Sequence, residues 1–261
     1  MAALVFCILW SSYSVGLLFF ICMLLASMEL TKLLNQGKQP TLGVASKLLI
    51  LGSAYVLSFF ILQEAIQLQW ILLLIPLIFV FFIYELFTTQ QNQFKSITEM
   101  MFGFLYVFVP FISLIVLATN TDFSTKMEML NGRHILLGYF IILWTSDSMA
   151  YVTGKLLGKH KIAPAISPGK TWEGVIGGFV FSLVSGFLIS YFTESSRYLW
   201  TGMAVIVSLF GFLGDLSESM LKRKAGLKDS GNILPGHGGI LDRFDGIVFS
   251  APLVMCYLFW I

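Results

Sequence analysis

The residues best suited to chemistry lie near the C-terminus of this 261-residue chain, between Asp215 and Asp245. Four aspartates in this segment, Asp215, Asp229, Asp242 and Asp245, supply the hard oxygen ligands that magnesium prefers. Basic side chains stand among them and suit phosphate oxygens, which arginine binds bidentately; these side chains are Lys222, Arg223, Lys228 and Arg243. Carboxylates and cations in one segment predict a site that binds phosphate groups together with a divalent metal ion.

A glycine-rich run precedes two of these aspartates. In Gly236-His237-Gly238-Gly239 the missing side chains let the backbone approach a ligand closely, which predicts an anion-binding turn. A polybasic loop that binds anionic lipid head groups is the alternative. It would explain the basic residues but not four aspartates, so the phosphate and metal interpretation is preferred.

Two aspartates fall at the ends of apolar runs. Asp147 lies within Trp144-Thr-Ser-Asp-Ser148, and Asp215 follows a long apolar stretch. Because a carboxylate in hydrocarbon costs several kcal/mol, both are functional candidates. The alternative is that such an aspartate pairs with a lysine for helix packing. Glu29 and Glu85 also fall at predicted helix ends, where we interpret them as solvated or interfacial carboxylates.

A second polar segment, Ser167-Pro-Gly-Lys170-Thr171-Trp-Glu173-Gly174, precedes another apolar run. It lacks the first glycine of a nucleotide-binding P-loop, and no strand-like segment precedes it. Ser167 and Thr171 are suited to cap the helix that begins near Thr171, whose N-terminal N–H groups favour an anion next to Lys170. Capping without a ligand is the alternative. The small residues from Gly174 to Gly178 predict close helix packing.

The elements that position these residues are predicted to be membrane helices. The chain is 57% hydrophobic and 11% charged, with a mean hydropathy of +0.85, which excludes a soluble globular protein. Its apolar runs are continuous, as in helices of about 20 residues that cross a ~30 Å hydrocarbon core. The predicted spans are 14–33, 45–62, 69–88, 101–119, 134–154, 174–193, 198–214 and 246–261. We expect an all-α polytopic membrane protein with eight or nine transmembrane helices, depending on whether residues 2–10 form a separate span.

The distribution of basic residues predicts the orientation. Thirteen of the 16 lysines and arginines fall in loops on one side, which the positive-inside rule assigns to the cytoplasm. The predicted site therefore faces the cytoplasm. The chain forms one integral membrane unit in which residues 1–133 are N-terminal transmembrane helices and residues 134–261 carry the catalytic half.

Other classes receive little support. A net charge of +2 does not indicate a nucleic-acid partner, and the three cysteines lie in apolar runs as small hydrophobic residues. No basic stretch precedes the first apolar run, so we expect no cleavable secretory signal.

The polar segments resemble those of the phosphatidate cytidylyltransferases, the CDP-diacylglycerol synthases. The resemblance rests on Ser219-x2-Lys222-Arg223-x4-Lys228-Asp229-x-Gly231-x2-Leu234-Pro235-x-His237-Gly238-Gly239-Ile240-x-Asp242-Arg243-Phe244-Asp245. Ser167-Pro-Gly-Lys170-Thr171-x-Glu173-Gly174 and Gly214-Asp215-x2-Glu218-Ser219 also resemble family elements. The resemblance covers residues 140–250, and the N-terminal half matches only in its apolar spans.

The resemblance implies an enzyme of phospholipid biosynthesis that joins CTP and phosphatidate to give CDP-diacylglycerol and pyrophosphate. It implies a homodimer in the membrane, of the bacterial inner or plasma type. It also implies a metal centre of Mg2+, with a second cation such as K+, at Asp215 and Asp242.

The candidate site residues form two overlapping sets. The catalytic candidates are Asp147, Lys170, Glu218, Lys222, Arg223, Lys228, Asp229, His237, Arg243 and Asp245. The candidates for binding substrate phosphates are Ser167, Lys170, Thr171, Ser219, Lys222, Arg223, Lys228, Gly238, Gly239 and Arg243. A CTP-dependent lipid or polyprenol kinase and, from another class, a secondary transporter with aspartates in its spans are the alternatives.

Overall fold

The computed structural model describes residues 2–35, 43–65, 93–119, 131–231, 233 and 238–261. Helices dominate these ranges. They are α1 (Ala2–Trp10), α2 (Ser12–Leu34), α3 (Gly43–Leu62), α4 (Gln93–Gly103), α5 (Val109–Thr119), α6 (Gly132–Leu157), α7 (Trp172–Phe192), α8 (Arg197–Lys224), α9 (Leu241–Phe244) and α10 (Ile247–Trp260). A π-helical turn, Phe104–Phe108, joins α4 to α5.

Six helical segments in the described ranges are long and apolar enough to cross a membrane. They are Ser12–Leu34, Thr98–Thr119, Gly132–Leu157, Trp172–Phe192, Arg197–Lys224 and Leu241–Trp260. Each contains or overlaps a predicted span, so the prediction of a helical, polytopic membrane protein is confirmed. The predicted span 45–62 lies in α3, and 69–88 lies outside the described residues. The total of eight or nine spans stays a prediction.

The first helix is too short to cross a membrane by itself. With nine residues, α1 is about 14 Å long, half of a ~30 Å hydrocarbon core. It ends before Ser11, whose side chain accepts a hydrogen bond from the Tyr13 backbone N–H at the start of α2. The Arg133 guanidinium donates to the carbonyl oxygens of Leu9 and Trp10, which fixes the end of α1 beside the start of α6.

The structure adds an antiparallel β-hairpin that the helical prediction lacks. Strands β1 (Lys161–Ala163) and β2 (Ser167–Thr171) pair between α6 and α7. Within the connection between the strands, the Ile166 N–H donates to the Ala163 carbonyl oxygen. Thr171 ends β2 and caps α7, because its side chain accepts a hydrogen bond from the Gly174 N–H at 3.2 Å.

Small residues set the distance between the helices that carry the site. A Cβ atom on Gly174 would lie 2.7 Å from the Ala150 carbonyl oxygen, and one on Gly178 would lie 2.8 Å from that of Ser146. The predicted packing face on α7 is therefore confirmed, and it lies against α6. At the other end of α6, Gly138 makes room for the fully buried ring of Trp200 from α8.

Candidate functional site

A polar cavity of about 660 Å³ lies between α6, α7, α8 and the β-hairpin. Asp147 of α6, Lys170 of β2 and Asp215 of α8 line it. Ser167 and Thr171 line the same cavity. The structure thus brings together side chains from three sequence segments, the last of which is more than 40 residues from the other two.

Lys170 and Asp215 form the closest ion pair of the cavity. The Lys170 Nζ lies 2.6 Å from Asp215 Oδ2 and 5.1 Å from the centre of the Phe212 ring. Ser219, one helical turn after Asp215, donates a hydrogen bond from its Oγ to Asp215 Oδ1 at 3.4 Å. The Lys170 Nζ atom is buried, whereas 40% of the Asp215 side chain is exposed. An entering cation can therefore compete for Asp215.

Asp147 adds a second negative charge to the cavity. It interacts electrostatically with Asp215, which repels it, and with Lys170, which attracts it. Lys170 thus faces two carboxylates from two helices.

Two lysines of the cavity were not predicted as site residues. Lys155 near the end of α6 and Lys161 in β1 line the cavity together with Lys170. In the sequence they served only to predict the orientation of the helices. Their positions around one opening follow from the hairpin, which turns Lys161 back towards α7.

A second group of charged side chains, here called the carboxylate cluster, consists of Glu218, Lys222, Asp242 and Asp245. The Lys222 Nζ lies 2.6 Å from Asp242 Oδ1 and 3.4 Å from Glu218 Oε1. Glu218 is fully buried and stands one turn before Lys222 on α8. Lys222 therefore joins a helix carboxylate to Asp242 in α9.

Asp245 connects the carboxylate cluster to the cavity. Its carboxylate interacts electrostatically with Asp215, Asp147 and Glu218. The turn that carries it packs tightly on α8, since a Cβ atom on Gly214 would collide with the Asp245 carbonyl oxygen. One continuous polar region thus extends from Asp147 to Asp242.

Asp242 is held in place from several directions. Its Oδ2 accepts hydrogen bonds from Ser230 N (3.0 Å), Ser230 Oγ (2.9 Å) and Gly239 N (2.8 Å). Gly238 has φ +78°, which favours glycine, and a Cβ atom there would lie 2.9 Å from Asp242 Oδ2. The glycine turn does bind an anion, namely the protein's own Asp242 carboxylate. A role for Gly238 and Gly239 in binding substrate phosphate stays a prediction.

The interpretation of Glu29 as a solvated or interfacial carboxylate is wrong. Glu29 is only 4% exposed, and its carboxylate accepts hydrogen bonds from Ile240 N, Leu241 N and Ser230 Oγ. The sequence carried no signal for these contacts, because Glu29 stands about 200 residues from its partners. Glu85 lies outside the described residues.

The remaining candidates lie at the edge of this region or outside the described residues. The Arg223 Nε donates to the Ile166 carbonyl oxygen at 3.1 Å, which ties the end of α8 to the hairpin. Lys228, Asp229 and Arg243 are exposed. His237 lies outside the described residues, so its predicted role is not addressed by the structure.

The donor set fits a hard divalent cation shared with substrate. Within the described residues, no three His, Cys, Asp or Glu side chains form a complete metal site by themselves. Magnesium, however, is usually bound by one or two carboxylates plus substrate phosphates and water. Asp215 lines the cavity with 40% of its side chain exposed, whereas Asp242 pairs with Lys222 and accepts three hydrogen bonds. Of the two predicted ligands, Asp215 is therefore the carboxylate that is open to a cation completed by phosphate oxygens.

Comparisons with known proteins agree with the sequence resemblance. The profile of the Cytidylyltransferase family matches residues 1–261. A phosphatidate cytidylyltransferase of Staphylococcus saprophyticus is 37% identical over 239 residues, covering 88% of this chain and 85% of the relative. The protein of that name from Staphylococcus aureus is 42% identical over 183 residues, covering 69% of this chain and 66% of the relative, slightly less than two thirds. The Staphylococcus epidermidis protein is 35% identical over 233 residues, covering 88% and 85%.

Proposed function

We propose that this chain, which belongs to the cytidylyltransferase family, transfers the CMP group of CTP to phosphatidate. The products are CDP-diacylglycerol, a precursor for phospholipid synthesis, and pyrophosphate. The observation that carries the proposal is the cavity in which Asp147 and Asp215 face Lys170 from a separate hairpin. The relatives named phosphatidate cytidylyltransferase supply the substrate class.

The reaction needs charge compensation more than it needs a general base. Phosphatidate is a phosphate monoester with a second pKa of about 6, so it already carries an attacking oxyanion at neutral pH. That oxygen forms a bond to the α-phosphorus of CTP while the bond to the β-phosphate oxygen breaks, and the bonding electrons leave with pyrophosphate. Repulsion between the two anionic substrates is the main obstacle.

The basic residues of the site address this repulsion. Lys155, Lys161 and Lys170 surround the cavity, and Lys222 stands in the carboxylate cluster. We propose that the three cavity lysines bind phosphate oxygens of the two substrates and align them for in-line attack. Lys170 would then exchange Asp215 for a phosphate oxygen, and the 40% exposed Asp215 side chain would be free to hold a cation.

We further propose that Asp215 and Asp242 hold Mg2+, with a second cation such as K+ nearby. Bound magnesium would offset negative charge on the triphosphate and on the leaving pyrophosphate. Asp147, Asp245 and Glu218 supply additional carboxyl groups around these two aspartates. The basic loops favour a site that faces the cytoplasm, and the family resemblance favours a homodimer.

The test uses purified protein with CTP and phosphatidate in the presence of magnesium. Label in the α-phosphate of CTP should appear in the lipid, together with released pyrophosphate. Label that enters the lipid from the γ-phosphate would instead indicate a CTP-dependent lipid kinase. Absence of lipid labelling from the α-phosphate would contradict the proposed transfer.

A further inference from the structure

Glu29, from the N-terminal half of the chain, contacts residues of the C-terminal segment that carries Asp242. Glu29 lies near the end of α2, far in sequence from every predicted site residue. Its carboxylate contacts both ends of the segment that runs from Ser230 to Leu241. Ser230 Oγ donates to Oε2 at 3.1 Å, Ile240 N donates to Oε1 at 3.1 Å, and Leu241 N donates to Oε2 at 2.8 Å.

The Ser230 hydroxyl links these contacts to Asp242. Ser230 Oγ stands 3.1 Å from Glu29 Oε2 and 2.9 Å from Asp242 Oδ2, so one hydroxyl hydrogen bridges or alternates between the two carboxylates. Ile240 and Leu241 directly precede Asp242 in the chain. Glu29 therefore fixes both the backbone that presents Asp242 and the hydroxyl that contacts it.

The Glu29 carboxylate also explains why glycine occupies positions 231 and 239. A Cβ atom on Gly231 would collide with Glu29, and all three of its nearest atoms belong to that side chain. A Cβ atom on Gly239 would collide with Ser230 Oγ and would come within about 2.5 to 2.6 Å of both Glu29 oxygens. The absence of side chains at 231 and 239 thus makes room for Glu29.

We infer that Glu29 is a positioning residue, which clamps the Ser230–Leu241 segment so that Asp242 is presented to the site in one conformation. The inference deepens the proposed function and rests on it for its kinetic consequences. Its structural part is independent of the reaction. Glu29 is buried and does not line the polar cavity, so we assign it no contact with substrate.

The variant Glu29→Gln tests the carboxylate with little change in size. Three donors point at the two carboxylate oxygens, so the amide NH2 must face at least one backbone or hydroxyl donor in either orientation. The magnesium concentration for half-maximal activity should rise about 10- to 100-fold, the usual range for residues that orient a ligand. The KM for phosphatidate should stay within about twofold. A raised KM with unchanged magnesium dependence would overturn the inference.

The matched control is Glu194→Gln in the turn between α7 and α8. Glu194 is exposed and lies at the opposite end of these helices from the hairpin. This variant makes the same chemical change and should leave the magnesium dependence unaltered. An equal shift in both variants would assign the effect to net charge and would contradict a clamp.

A double-mutant cycle tests the contact itself. Gly231→Ala should reduce activity because its methyl group collides with Glu29. In a Glu29→Ala background the same methyl group has free space, so the double variant should be no less active than Glu29→Ala alone. Multiplication of the two losses would show that Gly231 and Glu29 act separately and would overturn the inference.

Limited proteolysis separates the clamp from the reaction. Lys228 is exposed in the turn before Ser230, and release of the segment should make trypsin cleave after Lys228 several times faster in Glu29→Gln than in the parent protein. Glu194→Gln should match the parent. This result is expected even if the purified protein shows no cytidylyl transfer, in which case only the proposed function fails. Unchanged cleavage in Glu29→Gln would overturn the clamp.

Discussion

Replacing Asp242 with asparagine should remove activity while leaving the fold in place. The Asp242 Oδ2 position accepts three hydrogen bonds, and an amide oxygen placed there can accept all three. The amide NH2 then replaces Oδ1 and faces the Lys222 ammonium, which stood 2.6 Å from that oxygen. The substitution therefore converts one attractive contact into a donor–donor contact and removes one negative charge.

The size of this effect follows from burial. Only 10% of the Asp242 side chain and 13% of the Lys222 side chain are exposed. Removing one partner of a buried ion pair costs about 3–5 kcal/mol. Lys222 keeps Glu218 at 3.4 Å, so we expect the lower end, about 3 kcal/mol, in the free energy of unfolding. The substitution should also lower the rate of cytidylyl transfer, because a proposed magnesium ligand loses its charge. We expect kcat/KM to drop at least about 100-fold.

The assay measures lipid-linked CMP in membranes at saturating magnesium, with the amount of inserted protein and its oligomeric state measured in parallel. Lys224→Ala is the control, since Lys224 is exposed at the end of α8 and belongs to the same basic run. It should keep at least about half of the parent activity, as expected for a solvated surface charge. Equal losses in the two variants would refute the metal assignment and would point to bulk charge or folding.

Three further predictions concern the cavity, the helix packing and the orientation. Lys170→Met should lower kcat/KM at least about 100-fold without loss of inserted protein, because the substrate phosphates lose a cation that we propose binds them; near-normal kinetics would contradict a role of Lys170 in phosphate binding. Gly138→Ala should cost about 1–3 kcal/mol through overlap with a buried indole ring, measured as a lower melting temperature in detergent, whereas Gly103→Ala, which has open space, should not. In a background without the native cysteines, a membrane-impermeant maleimide should label Lys224→Cys only from the cytoplasmic side and Glu194→Cys only from the opposite side; the reverse pattern would contradict the predicted orientation.

Hydropathy predicted the positions of the described membrane helices but not the length of α8. The predicted span ends at residue 214, because the sequence becomes polar there, yet the helix continues to Lys224. A polar stretch is compatible with either a loop or an exposed helix, and the ion pair between Glu218 and Lys222 at i, i+4 supports the helix. As a result, Asp215, Glu218 and Lys222 stand on a rigid element instead of a loop.

The sequence by itself determined the class of protein and most of the candidate site. In a chain this apolar, membrane helices are the expected way to satisfy the backbone hydrogen bonds in lipid. Because charged side chains within a membrane cost several kcal/mol, the aspartates and lysines of this chain were functional candidates. Local order alone also predicted that Thr171 caps a helix and that the glycines of α7 pack closely, whereas Ser167, predicted to cap the same helix, lies in β2 instead. Each of these conclusions depends on residues within a few turns of one another.

Only the tertiary structure decided which distant residues share the site. Lys155 and Lys161 join Lys170 around the cavity because a hairpin folds back between two helices, and nothing in their spacing indicates this. Glu29 looked like an ordinary interfacial carboxylate because its partners are about 200 residues away. Burial and long-range hydrogen bonds depend on how the helices pack, and helix packing is not encoded in the periodicity of any single segment. The tertiary structure therefore assigned Glu29 to the segment that presents Asp242.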